Sequence, residues 1–134
     1  MEVFYASEIN NKTAILTEEE SKHCLRVLRK QAGDSIRCTD GRGKMALGNI
    51  QEDSVKQCVV SIHQVHLKQP LPYKLHLIVS PTKNISRMEW LVEKCVELGL
   101  SSLQIAWTRH SQRKKIKIER LQKKALSAMK QSQQ

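Results

Sequence analysis

Lys83 and Arg87 bracket the start of an amphipathic helix within PTKNISRMEWLVEKCVELG, residues 81–99, and of all patterns in this chain theirs points most directly to chemistry. Free backbone N–H groups and the dipole at a helix N-terminus already favour an anion, so two cations there read as a phosphate contact. The alternative is a solvated loop. Ser86 followed by Glu89 has the spacing of a capping box, which predicts a helix from about Arg87. Met88, Leu91, Val92, Cys95 and Leu98 recur as a buried stripe, and Gly99 supplies the permissive residue that ends the helix. The strand KLHLIVS (74–80) precedes it and a short apolar run, Leu103 to Trp107, follows. That order makes a βαβ unit, whose parallel strands aim their C-terminal loops at ligands.

A second candidate lies further on. Arg113, Lys114, Lys115 and Lys117, then Arg120, Lys123 and Lys124, face a single acid, Glu119. Residues 1–70 carry 10 basic and 9 acidic side chains, whereas residues 71–134 carry 13 and 4, so the formal charge of +10 is a patch rather than a uniform coat. A one-sided basic surface attracts polyanions through counterion release. Nucleic acid is the leading partner and an anionic membrane face the second. The basic residues interleave with apolar ones at helical spacing, which predicts a folded helix from about Ile118 to Ser132 rather than a disordered arm. Glu89, Glu93 and Glu97 form a mildly self-repelling row, read either as a solvated face or as an ion-pair network with Arg109 or Arg113. His23 and His110 have no visible nucleophile or carboxylate companion and read as surface histidines. No Gly-rich phosphate loop, metal-ligand array or nucleophile elbow is present, so no catalytic, cofactor-binding or metal residue is assigned.

The elements in front of this half are different. Thr17 with Glu20 predicts a capped helix through about Leu28, Gly33-Asp34 a turn, and Asp40-Gly41-Arg42-Gly43 a hairpin between strands 35–39 and 44–50. With Phe4-Tyr5, Ala14-Ile15 and Val55–His63 as further strands, these elements suit a small closed or partly closed barrel. KQPLP (68–72) marks the boundary, giving domains at 1–70 and 73–134. Cys24, Cys38, Cys58 and Cys95 lack metal spacing and read as reduced core thiols of a cytosolic protein, with a disulfide framework the minority reading. The N-terminus has no signal-peptide pattern, and no apolar run approaches the roughly 20 residues that span a bilayer, so a soluble protein is expected, and nucleic acid rather than a membrane is taken as its partner.

EEESKHCLRVLR (18–29), TDGRG (39–43), PTKNISRMEWLVEKCVELG (81–99) and SAMKQS (127–132), in that order, resemble the RsmE family of 16S ribosomal RNA uridine-N3 methyltransferases. The resemblance implies an α+β protein: an N-terminal PUA-like RNA-binding β-barrel followed by the first part of an α/β SPOUT domain with a trefoil knot. It also implies S-adenosylmethionine as cofactor, 16S ribosomal RNA or the small ribosomal subunit as partner, a homodimer, and a cytoplasmic setting. Carried over by position, His23, Arg26 and Arg29 belong to the RNA-facing barrel surface. Lys83, Arg87, Glu89 and Glu97 belong to the first βα unit, and Gln131 and Ser132 to its second helix. Arg109-His110-Ser111 departs from the family's common Glu-Arg-Ser, and Lys130 replaces a common Glu.

Two parallel strands and two helices make a narrow sheet for a parallel fold, which predicts a fragment; the resemblance implies that the donor-binding knot lies in the missing part, so that the fragment is inactive by itself. The candidate RNA-binding residues are therefore Arg26, Arg29, Lys83, Arg87, Arg113, Lys114 and Lys115. The rival readings are a non-catalytic RNA-binding module and a DNA-binding architectural protein.

Overall fold

Val3–Ile9 (β1) and Thr13–Leu16 (β2) form an antiparallel pair at the start of the chain, and Asn10 shapes the turn by accepting from the N–H groups of Lys12 and Thr13. The computed structural model describes residues 2–132, and the chain divides into two compact units, Met1–Pro70 and Leu71–Gln134.

In the first unit, Ser35–Thr39 (β3), Lys44–Asp53 (β4) and Cys58–Leu67 (β5) complete a closed barrel in the order β1-β2-β5-β4-β3. The alternating inward side chains of all five strands supply its core, led by Phe4, Leu16, Ile36 and Val60. Closure comes from a parallel pairing of β1 with β3, from Val3↔Arg37 to Tyr5↔Thr39. Asp40 Oδ1 accepts from the N–H groups of Arg42 and Lys44, and Gly41 and Gly43 take positive φ (67° and 100°), as the DGRG turn requires.

Glu18–Lys22 (α1) begins at Thr17, whose hydroxyl accepts from the Glu20 N–H at 3.4 Å. The buried Glu20 carboxylate also accepts from the Tyr5 N–H at 3.0 Å and ties the helix to β1. The chain then widens into a π turn over His23–Val27 instead of continuing as α-helix to Leu28. Cys24, Cys38 and Cys58 are buried in the barrel core, and all four thiols are free. The hydrogen bond shared with Cys58 holds the Cys24 thiol well above the ordinary thiol range, and burial pushes Cys38 up to about 12. Cys24 and Cys38 are inert packing groups, whereas the same hydrogen bond holds the Cys58 thiol below its ordinary value.

In the second unit, His76–Val79 (β6) and Ser102–Ile105 (β7) run parallel in register, from His76↔Ser102 to Val79↔Ile105. Ile85–Glu97 (α2) connects them and Ile118–Ser132 (α3) follows. Val79, Leu103 and Ile105 pack with Met88, Val92 and Leu121 on one face, while His76, Ile78, Ser102 and Gln104 are exposed on the other. The buried stripe of α2 is Ile85, Met88, Val92 and Val96. Leu98, expected inside, is 75% exposed because it is already the C-cap. Gly99 (φ 78°) closes the helix in a Schellman motif, with Leu100 N–H to Cys95 O and Gly99 N–H to Val96 O, both at 2.9 Å.

The expected Ser86 cap is corrected by the structure. Asn84 is the N-cap, its Oδ1 accepting from the Ser86 N–H at 2.9 Å, and Ser86 lies within the first turn. Asparagine and serine cap comparably well, and the residue nearer the strand wins here because the Thr82 hydroxyl also holds the Asn84 carbonyl at 2.8 Å. Asn84→Ala should therefore cost about 1 kcal/mol and Ser86→Ala only a few tenths. Urea unfolding of both variants checks the assignment, and the reverse order would restore Ser86 as the cap.

Candidate functional site: a cationic cleft at the strand ends

The C-terminal ends of β6 and β7 and the start of α2 converge on an open cleft of about 400 Å³. Its floor is made of hydroxyls. Ser80 Oγ and Ser111 Oγ lie 2.7 Å apart, and Ser111 Oγ also accepts from the Thr108 N–H at 2.7 Å, so the segments leaving the two strands are joined through one buried serine. Its walls carry two cations. Lys83 and Arg87 line it beside the His110 ring, and no carboxylate among the described residues does. Lys83 and Arg87 are exposed and have no ion-pair partner among the described residues.

Arg113, expected beside Lys114 and Lys115 as a phosphate contact, has its guanidinium engaged with backbone carbonyls. It donates to the carbonyls of Thr82 (3.2 Å), Lys83 (2.8 and 3.3 Å) and Lys115 (3.4 Å). A planar fork with fixed donors suits this bracing, which fixes the loop carrying Lys83 from the far side of the cleft. Lys114 and Lys115 are exposed, without ion pairs among the described residues, and do not line the cleft. Arg26 and Arg29 are exposed on the first unit.

The glutamate row is offset, by partners other than Arg109 or Arg113. Arg120 pairs with Glu89, Lys124 with Glu93 at 2.5 Å, and Lys94 with Glu93 and Glu97 at 3.3 and 3.0 Å. Lys124 and Lys94 hold the Glu93 carboxyl below its ordinary value. Two cations of the basic helix are thus turned onto α2, while Lys114, Lys115 and Lys117 before α3 are exposed and make no ion pair among the described residues. His23 is likewise partnered within its unit: its Nε2 lies 3.1 Å from Glu2 Oε1 and its ring meets Phe4. Sequence reasoning missed Ser80, Thr108 and Ser111; the available signal was three small hydroxyl residues placed shortly after two parallel strands.

Among the described residues no group of three or more His, Cys, Asp or Glu could hold a metal ion, and no helix is long and apolar enough to cross a membrane.

Two family models match. One, described as an RNA methyltransferase PUA domain, covers residues 16–62, and the other, an RNA methyltransferase domain, covers residues 69–134. Ribosomal RNA small subunit methyltransferase E of Bacillus subtilis is 32% identical over 90 residues, 65% of this chain and 34% of that protein. A probable rRNA-methyltransferase from Porphyromonas gingivalis superposes with a TM-score of 0.83 at 41% identity, covering 100% of this chain and 56% of the other. The ribosomal RNA small subunit methyltransferase E of Neisseria gonorrhoeae, solved bound to S-adenosyl methionine, gives 0.79 at 25% identity, covering 100% and 57%. The chain thus spans about a third of the curated relative and somewhat over half of the two solved ones. The barrel is PUA-like and the βαβ unit is part of an α/β domain. Because likeness runs through two differently built units in the same order, a shared common fold does not account for it, and the chain belongs to the RsmE-like RNA methyltransferase family.

Proposed function

We propose that this chain provides the RNA-binding barrel and the first α/β part of an S-adenosylmethionine-dependent enzyme that methylates uridine N3 in 16S ribosomal RNA. In this reading the α/β part is of the SPOUT type, the small ribosomal subunit is the partner, and the intact protein works as a cytoplasmic homodimer. What supports the reading most is the 41% identity to a probable rRNA-methyltransferase over the whole chain, coinciding with a cationic cleft at the strand ends.

The role of the cleft follows from its residues. Lys83 and Arg87 offer charge and N–H donors to a phosphate, and the Ser80–Ser111 pair fixes the strand ends that carry them. Positioning the target strand is the contribution these groups can make to catalysis. They do not suit the reacting centre of the methyl donor. A sulfonium is repelled by Lys83 and Arg87, and the lining offers it no carboxylate among the described residues. No transfer step is therefore assigned to the cleft, nor is a base named for the N3 proton.

The mismatch favours RNA binding without the donor as the property of this chain. Fluorescence anisotropy with a 16S ribosomal RNA segment should give salt-dependent binding whose affinity is unchanged by added S-adenosylmethionine. Calorimetry should give no heat from the donor alone. Absence of RNA binding at low salt would overturn the reading, and tight donor binding would place a donor site within these residues.

A further inference from the structure

Two uncommon backbone features lie side by side on the barrel unit. The Leu28 N–H reaches back to His23 O (3.1 Å) to close the π turn, and the Lys30 N–H reaches Cys24 O (3.1 Å), a Schellman end widened by one residue. Between them Arg29 has φ 55°, the single positive φ of a non-glycine among the described residues. Glycine takes this conformation freely and a side chain is strained there. The fold itself gives no reason for an arginine: its side chain is exposed and makes no ion pair among the described residues. Strain of this kind, held at a surface, points towards function.

The widened turn also decides what faces outward. Ser21 and Cys24 are buried and Leu25 packs against the core, after which Arg26, Val27, Leu28 and Arg29 are exposed in succession. Val27 is 65% exposed and Leu28 36%. Two adjacent aliphatic side chains thus stand at the tip of a turn, with an unpaired guanidinium on either side.

We propose that the Val27–Leu28 tip is a base-contacting platform for single-stranded RNA, on which one unpaired base packs while Arg26 and Arg29 hold neighbouring phosphates. The inference rests on the RNA-binding reading above and adds which part of the strand this surface recognises. Phosphates flank every base, so an apolar spot between two cations matches the alternation of the ligand itself. Contact with a base face is sequence-tolerant, and aliphatic side chains such as Leu and Ile pack against unstacked bases where proteins wedge into a duplex. Two aliphatic side chains are too little for a protein interface, which needs roughly 800 Å² per partner.

The test uses the full chain and a single-stranded RNA of about 20 nucleotides carrying one 2-aminopurine, beside its duplex. The wild type should prefer the single strand and change the 2-aminopurine fluorescence. Val27→Ser with Leu28→Ser should weaken binding about tenfold with the salt slope unchanged, and should abolish the fluorescence response. Val27 is the more exposed of the two, so Val27→Ser alone should keep the wild-type melting temperature and still weaken binding and fluorescence, which separates a lost base contact from a loss of folding. Arg29→Gly should raise the melting temperature by several degrees while lowering the salt slope by about 0.7. Preference for the duplex, or unchanged affinity and fluorescence in the serine variant, would overturn the platform while RNA binding stands. A wild type that binds neither RNA would overturn the underlying reading instead.

Discussion

Gly48→Ala will cost the barrel unit more than about 3 kcal/mol, the greater part of its stability. Gly48 lies in β4 opposite Ile62 of β5, beside a bulge, and a Cβ added there would sit 2.2 Å from the Ser61 carbonyl oxygen and 2.9 Å from its carbon. Both are backbone atoms that cannot rotate away. The clash is relieved only by parting β4 from β5, strands paired from Lys44↔Leu67 to Asp53↔Cys58. Overpacking in soft surroundings costs about 1–3 kcal/mol, and prying apart two barrel strands should exceed that range. A unit of this size has a stability near the lower end of about 5–15 kcal/mol. Gly33→Ala is the control, since Gly33 has φ 93° and a Cβ added to it would meet no atom within 4 Å, so only conformational strain of about 1–2 kcal/mol applies. Urea unfolding of the two variants gives the comparison, and a Gly48→Ala loss no larger than that of Gly33→Ala would show that the pairing yields easily.

The elements were legible where burial and pairing coincide. The strand Ser35–Thr39, the DGRG turn and the helix Ile118–Ser132 appear as their patterns require. β4 and β5 run further than expected, to Asp53 and Leu67, because backbone pairing continues after the side chains have left the core, so that even the alternating Val65 and Leu67 are exposed. The parallel β1–β3 closure was also invisible, being a contact between segments far apart in sequence. At the cleft, Lys83 and Arg87 announced themselves by charge next to a helix start. The bracing by Arg113 did not, since a guanidinium that binds carbonyls about 30 residues away looks in sequence like any member of a basic run. Likewise the pairing of Arg120 and Lys124 with Glu89 and Glu93 depends on the packing of α3 against α2, which neither helix specifies by itself.

That distinction between charges that bind and charges that brace sets the expected response of RNA affinity. Lys83→Ala with Arg87→Ala removes two cations that line the cleft and have no other partner among the described residues. On a single strand each lost phosphate contact lowers the salt slope by about 0.7, so the double variant should lose about 1.4 and bind roughly 15-fold more weakly near physiological salt. Arg113→Lys should behave differently. Charge is kept, but an ammonium cannot reproduce the forked donors that hold the Thr82 and Lys83 carbonyls, so the loop bearing Lys83 loosens. Affinity should then fall severalfold while the salt slope stays near the wild-type value, because no contacting charge has gone. Salt titrations of RNA binding on the three proteins decide it. If Lys83→Ala with Arg87→Ala leaves the slope intact, the cleft faces something other than a phosphate. If Arg113→Lys matches the wild type in both affinity and slope, the brace has no part in holding the binding loop.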